Sequence, residues 1–376
     1  PMHILHITRD YPPLHKGGIS TAVEGMTRAL CARGLTVTVL SFDGWRPRTR
    51  RDGPAELALE TLGSVEIARL SCPTQLKAAH GFVEARCPTH IHVHHDMLWD
   101  FAASTASATG ARTLLTIHVL QRQMNLLREL DESTMSLRAQ ERAFEEADVI
   151  LSPSPTTTRD TALLYPALKE RLQTTPLGSD VSPSSHKRVE ASRDVLNLLF
   201  VGRFDTIKGT HILFDTIEAL AEQTPRLKWR IAGGIPDNPK AERRWKKQWE
   251  NRAIQGVDVS FVGWLTPANL QDTYRDSDIL VAPSLYETFG LSVLEAMGNG
   301  LAICASETGG LKDLLEHEQS ALLSQPGQSD ELASNINKLS NNPILRNTLG
   351  RSAHKTATSG FSWDVVVPAL INAYDS

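Results

Sequence analysis

The chain has 376 residues, 41% of them apolar and 22% charged, with a net charge of −4. That balance fits a globular protein of two ordinary domains, each with its own core, and argues against a disordered chain and a general nucleic-acid binder. No apolar span is long enough to cross a bilayer and no basic-plus-apolar leader opens the sequence, so a cytoplasmic location is expected. Cys31, Cys72, Cys87 and Cys304 lie far apart without a C-x-x-C pair, which points to small buried hydrophobes rather than a zinc site or disulfides.

His3 to Thr8 is a short strand of alternating apolar residues. A loop through Pro12 and Pro13 to Gly17-Gly18 leads into helical spacing from Ile19 to Ala32, and Leu35 to Leu40 returns as a strand. This βαβ unit puts paired glycines at a helix start, where a backbone can approach a phosphate closely or simply turn tightly. Residues 43 to 64 carry Trp45-Arg46-Pro47-Arg48 and Arg50-Arg51 without periodicity, and read as a solvated loop or an acceptor-facing lid. The alternation resumes with strand Val65 to Leu70, helix Gln75 to Ala85, strand His90 to His94, helix Leu98 to Ala108 and strand Thr113 to Ile117. His90, His92 and His94 share one strand face and His95 takes the other. Alternate histidines can converge on a metal ion, but no fourth ligand is evident; no metal site is expected, and at most one of these histidines, with Asp96, is expected to line a cleft. His118 ends the next strand at its carboxyl edge, where open α/β sheets bind ligands. One long helix from Gln121 to Glu146, strand Asp148 to Leu151, helix Thr156 to Leu164 and strand Leu172 to Thr175 complete the first half.

Residues 181 to 195, rich in Ser and charge, read as a linker. The second half opens with strand Leu196 to Val201, running into Gly202-Arg203 and Lys208-Gly209. Two fixed cations just past a strand end can neutralise a departing diphosphate or be ordinary surface charges, and the spacing is not that of a P-loop. After strand Lys228 to Ala232, a helix from Pro239 to Arg252 carries Arg243-Arg244 and Lys246-Lys247 beside Trp245 and Trp249. It reads as a solvated helix with its aromatic side packed inward, or as a face for acidic surfaces. Val257 to Val262 is a strand ending at Gly263-Trp264-Leu265, and Ile279 to Ala282 is a short buried strand ending at Pro283-Ser284. Glu287 stands in the loop that follows, Phe289-Gly290-Leu291 leads into a helix, and Glu295 lies about one turn inside it. Free N–H groups at that helix start suit phosphate or sugar oxygens, while carboxylates accept hydrogen bonds from vicinal hydroxyls. A sugar nucleotide offers both parts, although two acids alone also fit a solvated loop acid and an acid favoured by the helix dipole. Strand Leu301 to Ala305, a Gly309-Gly310 turn, strand Ala321 to Ser324, helices from Asp330 onward and a final helix opening at Phe361-Ser362-Trp363 close the chain.

The run from Glu287 to Met297 has the form E-x-F-G-L-x-x-x-E-A-M, continues through Gly309-Gly310 in ETGGLKDLLE, and resembles the signature of retaining family-4 glycosyltransferases of the GT-B fold. Val201 to Gly209, V-G-R-x(4)-K-G, is similar to that family's diphosphate motif, and the resemblance covers nearly the whole chain. It implies an α/β architecture of two Rossmann-like domains facing a central cleft: 1–180 on the acceptor side, with the C-terminal helix 362–376 crossing back to it, and 196–360 binding the donor. It also implies that Glu287 touches the transferred sugar's hydroxyls, that Phe289, Gly290 and Leu291 donate backbone N–H groups to that sugar, and that Glu295 holds the ribose. Arg203 and Lys208 would receive the diphosphate, Gly18 would reach it, Gly263 and Leu265 would carry the backbone that recognises the base, and His118 would position the donor sugar rather than act as a general base. Pro176-Leu177-Gly178-Ser179-Asp180 departs from the family's N-G-V-D turn, with Asn and Val replaced.

The implied reaction moves a hexosyl unit, with retention, from a nucleoside diphosphate sugar, a uridine donor favoured, to a small-molecule or glycan hydroxyl, without metal or cofactor. A same-fold phosphorylase or sugar-nucleotide epimerase, and a non-catalytic bilobal sugar-binding protein, are the alternatives. No nucleic-acid partner and no transmembrane segment are expected, and nothing in the sequence supports a peripheral membrane contact.

Overall fold

Short runs of aliphatic residues alternate with helical spacing, and the chain accordingly lays down two largely parallel sheets. The computed structural model describes residues 2–14, 17–43, 53–130, 134–180, 195–221 and 227–376. They form two compact units, one of Pro1–Gly178 with Trp363–Ser376 and one of Ser179–Ser362. The arginine-rich stretch around Trp45 to Arg51 and the linker at 181–194 lie outside the described residues.

In the first unit β1 (His3–Thr8), β2 (Thr36–Ser41), β3 (Ala58–Leu62), β4 (Val65–Arg69), β5 (His90–Val93), β6 (Arg112–Thr116), β7 (Val149–Ser152) and β8 (Leu172–Thr174) pair in the order β3-β4-β2-β1-β5-β6-β7-β8. All neighbours are parallel except β3, which runs antiparallel to β4. Ile4, Ile7, Val39, Ile91, Leu114 and Ile150 have no exposed surface, as befits strands covered on both faces. The connecting helices are α1 (Gly18–Cys31), α2 (Leu76–Arg86), α3 (Trp99–Thr109), α4 (Gln121–Leu127), α5 (Met135–Glu146) and α6 (Pro155–Leu164).

Three expectations are corrected here. Residues 58–62 are a strand, not part of a structureless loop; all five are exposed, so no buried stripe marked them, and they are held by pairing with β4 and by Arg69, whose Nε donates to Glu60 at 2.7 Å. The predicted long helix is two, α4 and α5, because Glu129 turns left-handed (φ 53°) after α4 and Thr134 starts α5 afresh, its hydroxyl accepting from the Leu137 N–H. Cys87 is exposed rather than buried, in the left-handed position that ends α2.

The second unit has six parallel strands, β9 (Leu196–Arg203), β10 (Leu227–Gly234), β11 (Asp258–Gly263), β12 (Ile279–Ala282), β13 (Ala302–Ser306) and β14 (Leu322–Ser324), in the order β11-β10-β9-β12-β13-β14. Helices α7 (Thr210–Leu220), α8 (Pro239–Glu250), α9 (Pro267–Arg275), α10 (Leu291–Gly298), α11 (Leu311–Leu314), α12 (Ser329–Asn341) and α13 (Pro343–Gly360) flank them. Pro at the first helical position follows a side-chain cap at α8, α9 and α13, where Asn238, Thr266 and Asn342 accept from backbone N–H groups. The aromatic side of basic α8 packs inward, Trp249 lying 5.4 Å from the Phe214 ring.

The last helix, α14 (Trp363–Asp375), belongs to the first unit and packs on α1. Its Trp363 indole occupies a site that only glycines leave open: a Cβ on Gly25 would lie 2.2 Å from Trp363 Nε1, and one on Gly178 would lie 2.5 Å from Trp363 Cδ2. The second contact gives the PLGSD segment a packing role for its glycine. Gly25→Ala is therefore expected to destabilise the chain by roughly 1–3 kcal/mol in urea unfolding. Trp363→Ala in the same chain should cancel most of that increment in a double-mutant cycle.

Candidate functional site

Open parallel sheets bind ligands beyond the carboxyl ends of their strands, where the strand order reverses direction. In the second unit that reversal falls at β9, flanked by β10 and β12. The loop after β9 carries Arg203 and Lys208, and the loop after β12 carries Glu287.

The structure brings Lys208 and Glu287 together: Lys208 Nζ donates to Glu287 Oε1 at 2.5 Å, and the Ser284 hydroxyl donates to the same oxygen at 2.9 Å. The Glu287 side chain is only 12% exposed and that of Lys208 32% exposed. Backbone contacts fix this geometry. The Leu285 N–H donates to the Ile207 carbonyl at 2.7 Å, and the Gly310 N–H to the Glu287 carbonyl at 2.7 Å. Gly309 (φ 46°) is required next to it, since a Cβ there would sit 2.0 Å from that carbonyl oxygen. Gly209 (φ 69°) likewise leaves room for the Pro283 carbonyl, which a Cβ would meet at 1.9 Å.

Gly290 adopts φ 99° and caps α10 without a side chain, so no described residue accepts from the N–H groups of Gly290, Leu291 or Ser292. These donors and the carboxylate of Glu287 belong to one short loop. Phe289 is buried, its ring 5.9 Å from that of Phe361, so only its backbone is available for recognition. Glu295, on α10, is bonded through Oε2 to the Tyr274 hydroxyl at 2.8 Å, and the same hydroxyl lies 3.2 Å from the Ser292 carbonyl. Burial raises the Glu295 carboxyl to about 7, against the pull of the Tyr274 bond. Arg203 is exposed at the end of β9; Gly263 (φ 75°) ends β11, with half-buried Leu265 two residues on. Ser284 and Tyr274 were not singled out by the sequence. Ser284 sits three residues before the first acid, but Tyr274 lies on another helix with no local signal tying it to Glu295.

In the first unit the order reverses at β1, between β2 and β5. Gly18 is exposed at the start of α1, next to the Gly17 cap. His118, half-buried just beyond β6, does not stand alone. His118 Nε2 meets His94 Nδ1 at 3.1 Å, and His94 Nε2 meets His6 Nδ1 at 2.8 Å. His92 packs its ring on His94 with centroids 4.1 Å apart and is engaged on both nitrogens, by Tyr374 Oη at 2.7 Å and Thr116 Oγ1 at 2.6 Å. One ligand atom from each of His6, His92 and His94 lies within 4.8 Å of the others, while both His92 nitrogens and His6 Nδ1 serve the contacts just given. His6 was missed by the sequence, because only the register of β1 against β5, His6 opposite His92, brings it to the cluster. Asp96 is buried, accepts from Gln121 and Gln140 at 3.3 and 3.2 Å, and is pushed up to about 6 by burial.

Comparisons with known proteins follow the division into units. Residues 17–178 match the family model described as glycosyl transferase 4-like domain, and residues 182–356 match glycosyl transferases group 1. A D-inositol 3-phosphate glycosyltransferase from Corynebacterium jeikeium (strain K411) is 26% identical, over 100% of this chain and 96% of its own. Among solved structures, the sucrose-phosphate synthase (tll1590) from Thermosynechococcus elongatus superposes with a TM-score of 0.79 at 22% identity, covering 100% of this chain and 98% of that one. Anabaena Alr3699/HepE in complex with UDP and glucose superposes with a TM-score of 0.75 at 18% identity, covering all of both chains.

The buried histidines make stability depend on pH. Burial lowers His6 and His95 to about 3 and His118 to about 4, and holds His92 and His94 well below the ordinary 6.5. The unfolded chain therefore takes up these protons first, and their stabilisation is complete above about pH 6.5 and lost as pH falls toward the folded values. Asp43, Asp96 and Glu295, raised by burial, act oppositely: their contribution is full at low pH and lost as pH rises through the folded values, about 6 for Asp96 and about 7 for Glu295. The histidines outnumber them, so urea unfolding between pH 7 and 4.5 should show stability falling on acidification, by up to about 1.4 kcal/mol per pH unit for each net proton. A flat profile would contradict neutral burial of the cluster.

Proposed function

The chain belongs to the family-4 glycosyltransferases of the GT-B fold, and from that premise we propose that it transfers a hexosyl unit, with retention, from a nucleoside diphosphate sugar to an acceptor hydroxyl. The observation that carries this reading is the contact of Lys208 with Glu287, a cation and an acid held 2.5 Å apart, the acid in the loop that leads to the N–H groups at the start of α10. A sugar nucleotide is anionic at its diphosphate and rich in hydroxyls at its sugar, and each half has a counterpart here. On this reading Lys208 and Arg203 meet the diphosphate and stabilise the charge that grows on it as the glycosidic bond breaks. Glu287 accepts from the sugar hydroxyls, while Phe289, Gly290 and Leu291 present backbone donors to the same sugar. Glu295, its carboxyl oriented by Tyr274, accepts from the ribose hydroxyls. Gly263 and Leu265 line the base by backbone contacts, Gly18 approaches the diphosphate, and His118 positions the sugar as a neutral imidazole. The reaction as proposed uses no cofactor besides the donor, and the departing diphosphate takes the acceptor's proton.

A uridine donor is favoured; the neighbour crystallised with UDP and glucose has this fold, which supports testing that donor first. The relative named D-inositol 3-phosphate glycosyltransferase makes a phosphorylated cyclitol the first acceptor to try, ahead of other small-molecule and glycan hydroxyls.

Thermal shift with uridine, guanosine, adenosine and thymidine diphosphate sugars is expected to single out one base, and the anomeric coupling in the product's proton spectrum to match the donor's. Lys208→Ala should lower kcat on the order of 10²–10³-fold with the fold retained, as loss of one electrostatic stabiliser does. Near-normal turnover by Lys208→Ala would remove the cation from the mechanism.

A further inference from the structure

His118 is the last member of a chain of three imidazoles that runs through His94 to His6. A neutral imidazole has one N–H and one lone pair, so each contact between two rings needs one of each. Burial keeps His6, His94 and His118 neutral near pH 7, each standing well below 6.5. With His118 Nε2 on His94 Nδ1 and His94 Nε2 on His6 Nδ1, only two arrangements satisfy both contacts. All protons lie on Nδ1, or all lie on Nε2. His92 cannot branch the chain, because Tyr374 and Thr116 occupy both its nitrogens, and its ring pins His94 in place.

The free end decides between the two. His6 is fully buried, and among the described residues its Nε2 has no hydrogen-bond partner. With protons on Nε2, a polar N–H would be stranded there; with protons on Nδ1, only a lone pair is left. Stranded buried N–H groups are the rarer of the two in folded proteins, whereas acceptors are left short somewhat more often.

We propose that His6 and His94 are positioning residues which lock His118 as its Nδ1–H tautomer, so that outside the chain His118 offers a hydrogen-bond donor and no lone pair. Whatever meets Nδ1 meets an N–H. In the transferase reading, on which the functional meaning rests, His118 then donates to a sugar or phosphate oxygen and cannot accept the acceptor's proton. The tautomer itself does not depend on that reading.

The test is a long-range proton–nitrogen correlation spectrum of the full chain, labelled with nitrogen-15 at histidine, at pH 7.5, with each ring assigned by substitution. His6, His94 and His118 are expected to show a protonated Nδ1 and a bare Nε2. In His6→Phe, which removes the far donor, the His118 signals should move to a mixture of tautomers; in His6→Asn, whose amide can donate in place of Nδ1, they should stay as in the native chain. A His118 protonated on Nε2 overturns the proposal. So does a folded His6→Phe chain with His118 unchanged, or one equivalent of zinc retained across His6, His92 and His94 after dialysis against a chelator. If His6→Phe does not fold, the native spectrum decides alone. Donor binding, measured separately by thermal shift, reports on the transferase reading and leaves the tautomer result standing whichever way it falls.

Discussion

The main-chain carbonyl of Glu287 holds the site of the second unit together as much as its carboxylate does. It accepts from the Gly310 N–H at 2.7 Å, while the Leu285 N–H reaches the Ile207 carbonyl and the Thr308 hydroxyl reaches the Leu285 carbonyl. The loops after β9, β12 and β13, three adjacent strands, are thereby laced into one body. Each such bond contributes only about 1 kcal/mol net, but together they leave the loops no independent freedom. Glycine at 309 and 209 follows from the same closeness, since the backbones pass at distances no Cβ would tolerate. The signature is thus partly a record of where chains must touch.

Within that frame the pairing of Lys208 with Glu287 is a poor source of stability, because two part-buried charges lose hydration in return for their attraction. Its effect is to keep both groups in place and mutually neutralised. A ligand that carries its own anion and its own hydroxyls can exchange for both halves at once, whereas a simple anion satisfies only the lysine and strands the acid. Discrimination of that kind comes from the penalty on an unpaired buried group rather than from added contacts.

The alternation of strands and helices was legible because buried parallel strands read as unbroken apolar runs, and Arg203, Lys208 and Glu287 were legible because they fall within a few residues of strand ends. What escaped was set by distance along the chain. Nothing near His6 announces that register will seat it against His92, and nothing near Tyr274 points to Glu295. The strand at Ala58–Leu62 escaped for the opposite reason: with Leu59 and Leu62 more than half exposed, its existence depends on a hydrogen-bonding partner rather than on a buried face. The break between α4 and α5 was hidden by helix-favouring residues on both sides, where a cap at Thr134 overrides propensity.

The two units handle buried polarity in different ways. The second sets opposite charges against each other near solvent. The first buries rings that stay neutral and satisfies most of their nitrogens from partners far away in sequence, leaving His6 Nε2 and His95 Nδ1 without one among the described residues. The C-terminal helix supplies one of these, since the Tyr374 hydroxyl bonds His92 Nδ1 and the Tyr374 carbonyl meets His90 Nε2 at 3.0 Å. Without α14 the His92 nitrogen would be stranded and the groove at Gly25 and Gly178, which accepts Trp363, would lie open. The last helix is therefore joined to the first sheet by chemistry as well as by packing: the indole fills a glycine-lined gap, and the phenol completes the network that runs through the ring stack toward His118.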